Sequence, residues 1–340
     1  MITQFGYCVP IFAAPGAGLF RTPNYAALDP ALTMDLAREA DALGFDSLWV
    51  ADHLMLGKDE AILEGWTTLA ALAGATQRAK LGMIHQANLF RHPALAAKMA
   101  ATLDQISGGR LIHFVDCGHN KREHNAYGLP WAPDAAERVA RMVEALELQL
   151  ALWTADEPVT HAGRFYQTQA AVCQPAPLQR PHPPIWLGEV HPDMLLACAR
   201  YAQGWNSVPV SLGAMRERLD LLTAACAQVG RAVETIERSL EIQILIAPDQ
   251  AALRDRLRSI VERGPGAAPL AGDLRAFLDG SDELPAEIAA TWLAGTPDQV
   301  GARIEAYRDL GISHFMLWFV DAPDRAGMRL FAEQVAPRFR

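Results

Sequence analysis

The chain has 340 residues, 51% of them apolar and 20% charged, and a net charge of −9. That is globular composition, long enough for one large α/β barrel. Acids and bases are interspersed, which excludes the concentrated basic surface that nucleic acid or an anionic membrane requires. Five cysteines, Cys8, Cys117, Cys173, Cys198 and Cys226, form no CxxC pair and read as free thiols in a reducing cytoplasm. The start, MITQFGYCVP, lacks the charged and apolar regions of a secretion signal, and no apolar run is of membrane-spanning length.

In chain order, short runs of β formers alternate with longer stretches of helical spacing. The expected strands are Phe5–Ile11, Ser47–Ala51, Lys80–Ile84, Leu111–Val115, Ile185–Leu187, Trp205–Val208, Leu240–Ile246 and Phe315–Phe319. Most are apolar on both faces, as strands covered by helices must be. Between the third and fourth, PALAAKMAATLDQIS places Leu95, Met99, Leu103 and Ile106 on one stripe and stops at Gly108-Gly109. Val139, Met142, Val143, Leu146 and Leu150 mark a second helix. A third opens with Thr296 as N-cap and Pro297 at its first position. Eight such alternations without a break in composition predict one (β/α)8 TIM barrel over 1–340. Two insertions interrupt it. The stretch 158–184 contains HAGRFYQ, a small hairpin pattern, and 264–294 contains GPGAAPLAG, a candidate lid.

Such a barrel carries its chemistry where the strands end. Polar groups recur there. Asp52 and His53 follow the second strand; His85, Gln86 and Asn88 the third; Asp116, Cys117, Gly118 and His119 the fourth. Gly188, Glu189 and His191 follow the fifth, Asn206 lies on the sixth, and Asp321 follows the eighth. Each alone has a plain structural explanation, such as a turn cap or a buried histidine. The recurrence at one end is what points to a pocket. Arg110 reads as a structural turn residue, and Trp49, Trp153, Trp186 and Trp318 as packing.

Several chemistries are disfavoured. The first strand, FGYCVPIF, has no HxH pair, and the other histidines lack tight ligand spacing, which argues against a metal centre. The serine elbow GxSxG, a lysine late in a strand and the dinucleotide loop GxGxxG are all absent. A pocket of switchable hydrogen-bonding groups between apolar walls suits an organic cofactor that supplies the difficult chemistry itself. Phe12, Phe20, Phe90 and Trp131 suggest a small, non-sugar organic substrate.

The segments ALGFDSLWVADHL (42–54), EGWTTLAALAGATQRAKLG (64–82), NLFRHPALAAKMAATLDQISGGR (88–110), EHNAYGLP (123–130), PHPPIWLG (181–188), ARYAQGWN (199–206) and AGTPDQV (294–300) together resemble the bacterial luciferase-like flavin-dependent family. The resemblance implies a homodimeric TIM barrel whose mouth holds a tricyclic ring. It implies a cis peptide at Ile84-His85 behind that ring, with Asp52, His53, Asn88 and Cys117–His119 lining it and Gly188 and Glu189 near its phosphate. The chain departs from the family's glycine-rich turns, reading DCGHN (116–120) and GEVHP (188–192), and Lys121, Arg122 or Arg164 are candidates to offset the added acids.

The first expectation drawn from the resemblance is a monooxygenase. It would use reduced FMN and O2 to oxygenate a small organic substrate and depend on a separate flavin reductase. His53 and His85 are its expected proton-handling groups, with Cys117 a further catalytic candidate. The alternative is an oxidoreductase using coenzyme F-420, passing hydride without oxygen, with His53 as acid or base. A third reading is a non-catalytic flavin-binding paralogue.

Overall fold

The structure, a computed structural model, describes residues 2–15, 25–264 and 270–340. Its strands are β1 Gln4–Cys8, β2 Ser47–Ala51, β3 Lys80–Ile84, β4 Gln86–Ala87, β5 Leu111–Asp116, β6 Val159–Ala162, β7 Gln167–Ala171, β8 Ile185–Gly188, β9 Gly204–Ser207, β10 Glu237–Ile246, β11 Leu293–Gly295 and β12 His314–Phe319. The longer helices are α1 Pro30–Leu43, α2 Gly65–Ala75, α3 Pro93–Ser107, α4 Lys121–Ala126, α5 Ala135–Thr154, α6 Pro192–Tyr201, α7 Leu212–Gln228, α8 Gln250–Glu262, α9 Gly272–Leu278, α10 Ala286–Thr291, α11 Pro297–Asp309 and α12 Ala326–Gln334.

Parallel pairing runs β1-β2-β3-β5-β8-β9-β10-β12 and returns from β12 to β1. This is the closed eight-stranded barrel that the alternation predicts. β4 adds to β5 at the mouth, and β11 adds to the far half of β10. The HAGRFYQ segment is the antiparallel hairpin β6–β7. The 264–294 insertion contributes α9 and α10, whose Phe277 and Ile288 form a second core with Leu253 and Leu257 of α8. The lid residues 265–269, like Phe20, fall outside the described chain.

Boundaries and one helix phase differ from expectation. β1 ends at Cys8, and β5 extends to Asp116, so the acid is the last residue of the strand. On α3, Leu103 is buried but Leu95 and Ile106 are 55% and 61% exposed. The inward face is Ala96, Ala97, Ala100 and Ala101. Small side chains let α3 approach its neighbours closely, and that contact outweighs the leucine stripe. Arg110 is structural as expected: it donates to the carbonyls of Ala73, Thr76, Ala79 and Ser107.

The barrel's N-terminal end is plugged. Trp49, Trp186 and His314 pack together, with ring centroids 5.1 to 5.9 Å apart. Gly82 and Gly204 make room, since a Cβ on either would overlap an indole of Trp49 or Trp186. His314 Nδ1 pairs with Glu237 at 3.1 Å and its Nε2 with the Ser47 hydroxyl at 2.8 Å. Trp49 Nε1 donates to that same hydroxyl. The floor therefore leaves neither imidazole nitrogen without a protein partner.

Candidate functional site

The mouth starts at the exit of β2. Asp52 is buried and takes both guanidinium nitrogens of Arg91, at 2.8 and 3.0 Å, and the Ala87 N–H at 2.9 Å. Arg91 also reaches Glu64 at 2.5 Å. Burial alone would lower the Arg91 pKa, but Asp52 and Glu64 together outweigh it and the net shift is upward. Asp52 is thus a fixed part of the wall, clamping β2 to β4.

His53, next along, is held differently. Its Nδ1 lies 3.0 Å from Glu123 Oε1 and 3.2 Å from Oε2. Glu123 sits on α4, is fully buried, and also accepts the Met55 N–H. A carboxylate accepting a hydrogen bond from Nδ1–H fixes the tautomer and leaves Nε2 for a ligand. His119 packs beside His53, with ring centroids 5.7 Å apart.

A second group surrounds Asp116 at the end of β5. His85 Nδ1 and His119 Nδ1 each lie 3.9 Å from one of its oxygens, and the Gly118 N–H donates to it at 2.6 Å. Burial pushes the Asp116 pKa up, but His119, His85 and the backbone donor bring it below its ordinary value. The His119 pKa is raised, chiefly by the neighbouring Asp116 carboxylate.

Asp52, His53, His85 and His119 converge on one cavity of about 280 Å³. Asp116, Glu123 and His124 complete much of its polar side, Ile84 also lines it, and the Ile84-His85 peptide is cis where expected. Phe12, Leu56, Phe90 and Trp318 supply apolar wall. Glu241 of β10 lines the deep side, accepting the Trp318 indole N–H at 2.6 Å.

The remaining expected site residues stand back from this cavity. Asn88 is buried and donates to the Tyr166 hydroxyl at 3.2 Å, tying β4 to the β6–β7 hairpin. Cys117 does not line it, and burial, reinforced by Asp116, pushes the thiol up to about 12. A thiol so strongly protonated is a poor nucleophile or proton donor. Gly118 turns the chain with φ 86° beside His124. Gly188 and Glu189 lie at the exit of β8, where Glu189 has φ 74° and its carbonyl accepts from Trp205. Arg218, bound to Ser207 at 3.0 Å, supplies positive charge close enough to interact with Glu189. Trp131 packs against His124, with ring centroids 4.8 Å apart, rather than lining the cavity.

Glu123, His124 and Glu241 are cavity residues absent from the expected site residues, and Trp318, expected only as packing, also lines the cavity. Glu123 and His124 lie within the EHNAYGLP segment, after the strand exit. Glu241 is an acid within an apolar strand, with Gln243 two residues on, and such spacing puts both on the barrel's interior face. Among the described residues, no cluster of three His, Cys, Asp or Glu side chains is arranged to hold a metal. No helix among them is long and apolar enough to cross a membrane.

A parallel barrel with histidine–carboxylate pairs around an apolar-walled mouth has room for an organic cofactor and groups that can move a proton beside it. A family model described as luciferase-like monooxygenase matches residues 3–314, and the chain belongs to that family. Its enzymes include proteins of both kinds considered above. A glucose-6-phosphate dehydrogenase of Nakamurella multipartita, named as F420-dependent, is 29% identical over 92% of this chain and 93% of its own. The Nocardia farcinica protein of the same name is 30% identical over 92% and 94%. A phthiodiolone/phenolphthiodiolone dimycocerosates ketoreductase of Mycobacterium kansasii is 28% identical over 82% and 88%.

Among solved structures, an F420-dependent secondary alcohol dehydrogenase superposes with a TM-score of 0.76 at 22% identity, covering 100% of both chains. A long-chain alkane monooxygenase superposes at 0.80 with 15% identity, covering 99% of this chain and 91% of that one. At such identities these two show the shared fold alone. The expectation of an FMN-dependent monooxygenase is overturned by the curated relatives named as F420-dependent glucose-6-phosphate dehydrogenases. Oxygen and a flavin reductase belonged to that chemistry and leave with it. The protein is an oxidoreductase of the luciferase-like family acting on a small molecule.

Proposed function

We propose that this chain is a cytoplasmic, coenzyme F-420-dependent oxidoreductase that interconverts an alcohol and a carbonyl on a small organic substrate. The observation that carries this is the His53–Glu123 pair at the cavity, with a buried carboxylate on one imidazole nitrogen and the other nitrogen left for a hydroxyl. The names of the curated relatives support the coenzyme.

The residues present fit such a ring. His124 Nε2 is buried in the cavity wall and has no hydrogen-bond partner within the protein, so a heteroaromatic ligand would satisfy it. Ile84, Ala87 and the Asp116 side are the groups that would hold the ring, with Gly188, Glu189 and Arg218 toward its phosphate. When bound, the coenzyme supplies the acceptor for a hydride and its two electrons. With the coenzyme in place, His53 Nε2 would take the proton of the substrate hydroxyl. Glu123 stabilises the imidazolium that forms, as the buried acid of a catalytic triad does. The apolar wall limits water around the reacting carbon. The resemblance to the family also supports a homodimer, which sedimentation in solution would test.

Titration with F-420 and with FMN, followed by the ligand's fluorescence, tests the assignment. Saturable binding of F-420 in preference to FMN is expected. No F-420 binding up to millimolar concentration would overturn it.

A further inference from the structure

We infer that the substrate is an uncharged, largely apolar alcohol or ketone, and that a sugar phosphate, the substrate in the relatives' name, is disfavoured here. This rests on the coenzyme assignment above but makes a separate claim about charge. Four carboxyl-bearing side chains line the cavity: Asp52, Asp116, Glu123 and Glu241. Its basic groups, among the described residues, are imidazoles; no lysine or arginine lines it. Arg91, immediately behind the wall, is already engaged by Asp52 and Glu64.

Phosphate sites in proteins are built from arginine forks, lysines or converging backbone N–H groups. Among the described residues, no arginine or lysine lines this hollow. The deep side instead combines Glu241 with the Trp318 indole, and Phe12 packs on that indole with ring centroids 6.3 Å apart. A carboxyl flanked by aromatic rings accepts a C–H-rich body and opposes an anion by like-charge contact. Phe90 and Leu56 continue the apolar surface. Cations do occur at the exposed rim, where Arg122 pairs with Glu60 at 3.0 Å and Lys58 donates to the Ala26 carbonyl. Neither of these two cations lines the cavity.

The test uses the full-length protein. F-420 binding is measured first, so that its failure counts against the coenzyme assignment and not against this inference. The coenzyme-loaded enzyme is then given cyclohexanol, glucose and glucose 6-phosphate, with turnover followed by loss of the oxidised coenzyme's visible absorbance. Binding of the same three compounds is followed by calorimetry. Cyclohexanol is expected to exceed glucose 6-phosphate in kcat/KM, or in affinity if none turns over, by more than about tenfold. A smaller or reversed preference, or binding of neither compound, overturns the inference. Glu241→Gln is expected to narrow that preference by about tenfold. An unchanged ratio in a folded Glu241→Gln protein removes Glu241 from the account.

Discussion

The two ends of this barrel use the same chemical vocabulary to opposite effect. At the floor, His314 is fully buried between Glu237 and Ser47, with both ring nitrogens satisfied by protein. At the mouth, His53 has a carboxylate on one nitrogen only and borders a cavity. A histidine–glutamate pair is therefore not a functional signature in itself. What separates a structural pair from a reactive one is whether the second nitrogen is closed off. The floor's histidine should matter for stability and the mouth's for turnover.

The comparison breaks most directly at His53. His53→Ala is expected to lower kcat on the order of 10³-fold while leaving coenzyme affinity and thermal unfolding nearly unchanged. Full activity in that variant would place the two ends on an equal footing. Glu123→Gln should follow, with turnover down about 10²-fold, because the amide no longer supports the imidazolium. Its steady-state kinetics should show the loss in kcat more than in KM. At the floor, His314→Ala should do the converse. Removing a fully buried ring from two hydrogen bonds costs about 2–4 kcal/mol, read from denaturant unfolding, while the folded fraction keeps its specific activity.

The wall between the ends supplies a pH test. His113 on β5 is fully buried and its Nε2 donates to Gln149 Oε1 at 2.9 Å. Burial pushes its pKa down from 6.5 to about 4, with Gln149 opposing. The unfolded chain takes up this proton first as pH falls. Stability is therefore lost between about pH 6.5 and pH 4, by up to ~3 kcal/mol. His113→Gln should flatten that slope in unfolding curves recorded at several pH values. The smallest effect is expected at Cys117, whose thiol is held up to about 12. Cys117→Ser should keep turnover within about threefold, and the native thiol should alkylate slowly.

Most of the barrel was legible because its strands are apolar on both faces and its helices carry clear stops, such as Gly108 and the Thr296–Pro297 start. In α11 the Thr296 N–H indeed meets the Gln299 side chain at 2.9 Å. The phase of α3 was not legible, since alanine packing competes with leucine amphipathicity and only the neighbouring helix decides. At the mouth, residues directly after strand ends were readable by position: Asp52, His53, His85 and His119 do meet. Glu123 was not, because it lies 70 residues from its partner in sequence and on a short helix that no strand rule places. Asn88 and Cys117 follow strands in sequence but turn toward neighbouring protein. The coenzyme was open between FMN and F-420 because both present a similar tricyclic ring to the same wall. The names of the relatives, not the residues at the mouth, favour F-420.

The plug formed by Trp49, Trp186 and His314 makes the barrel a room with one door. Two guests sharing such a room must queue, and the one seated deeper enters first and departs last. Steady-state kinetics should accordingly follow a compulsory order, and whatever lies nearer the entrance governs how quickly the inner occupant escapes.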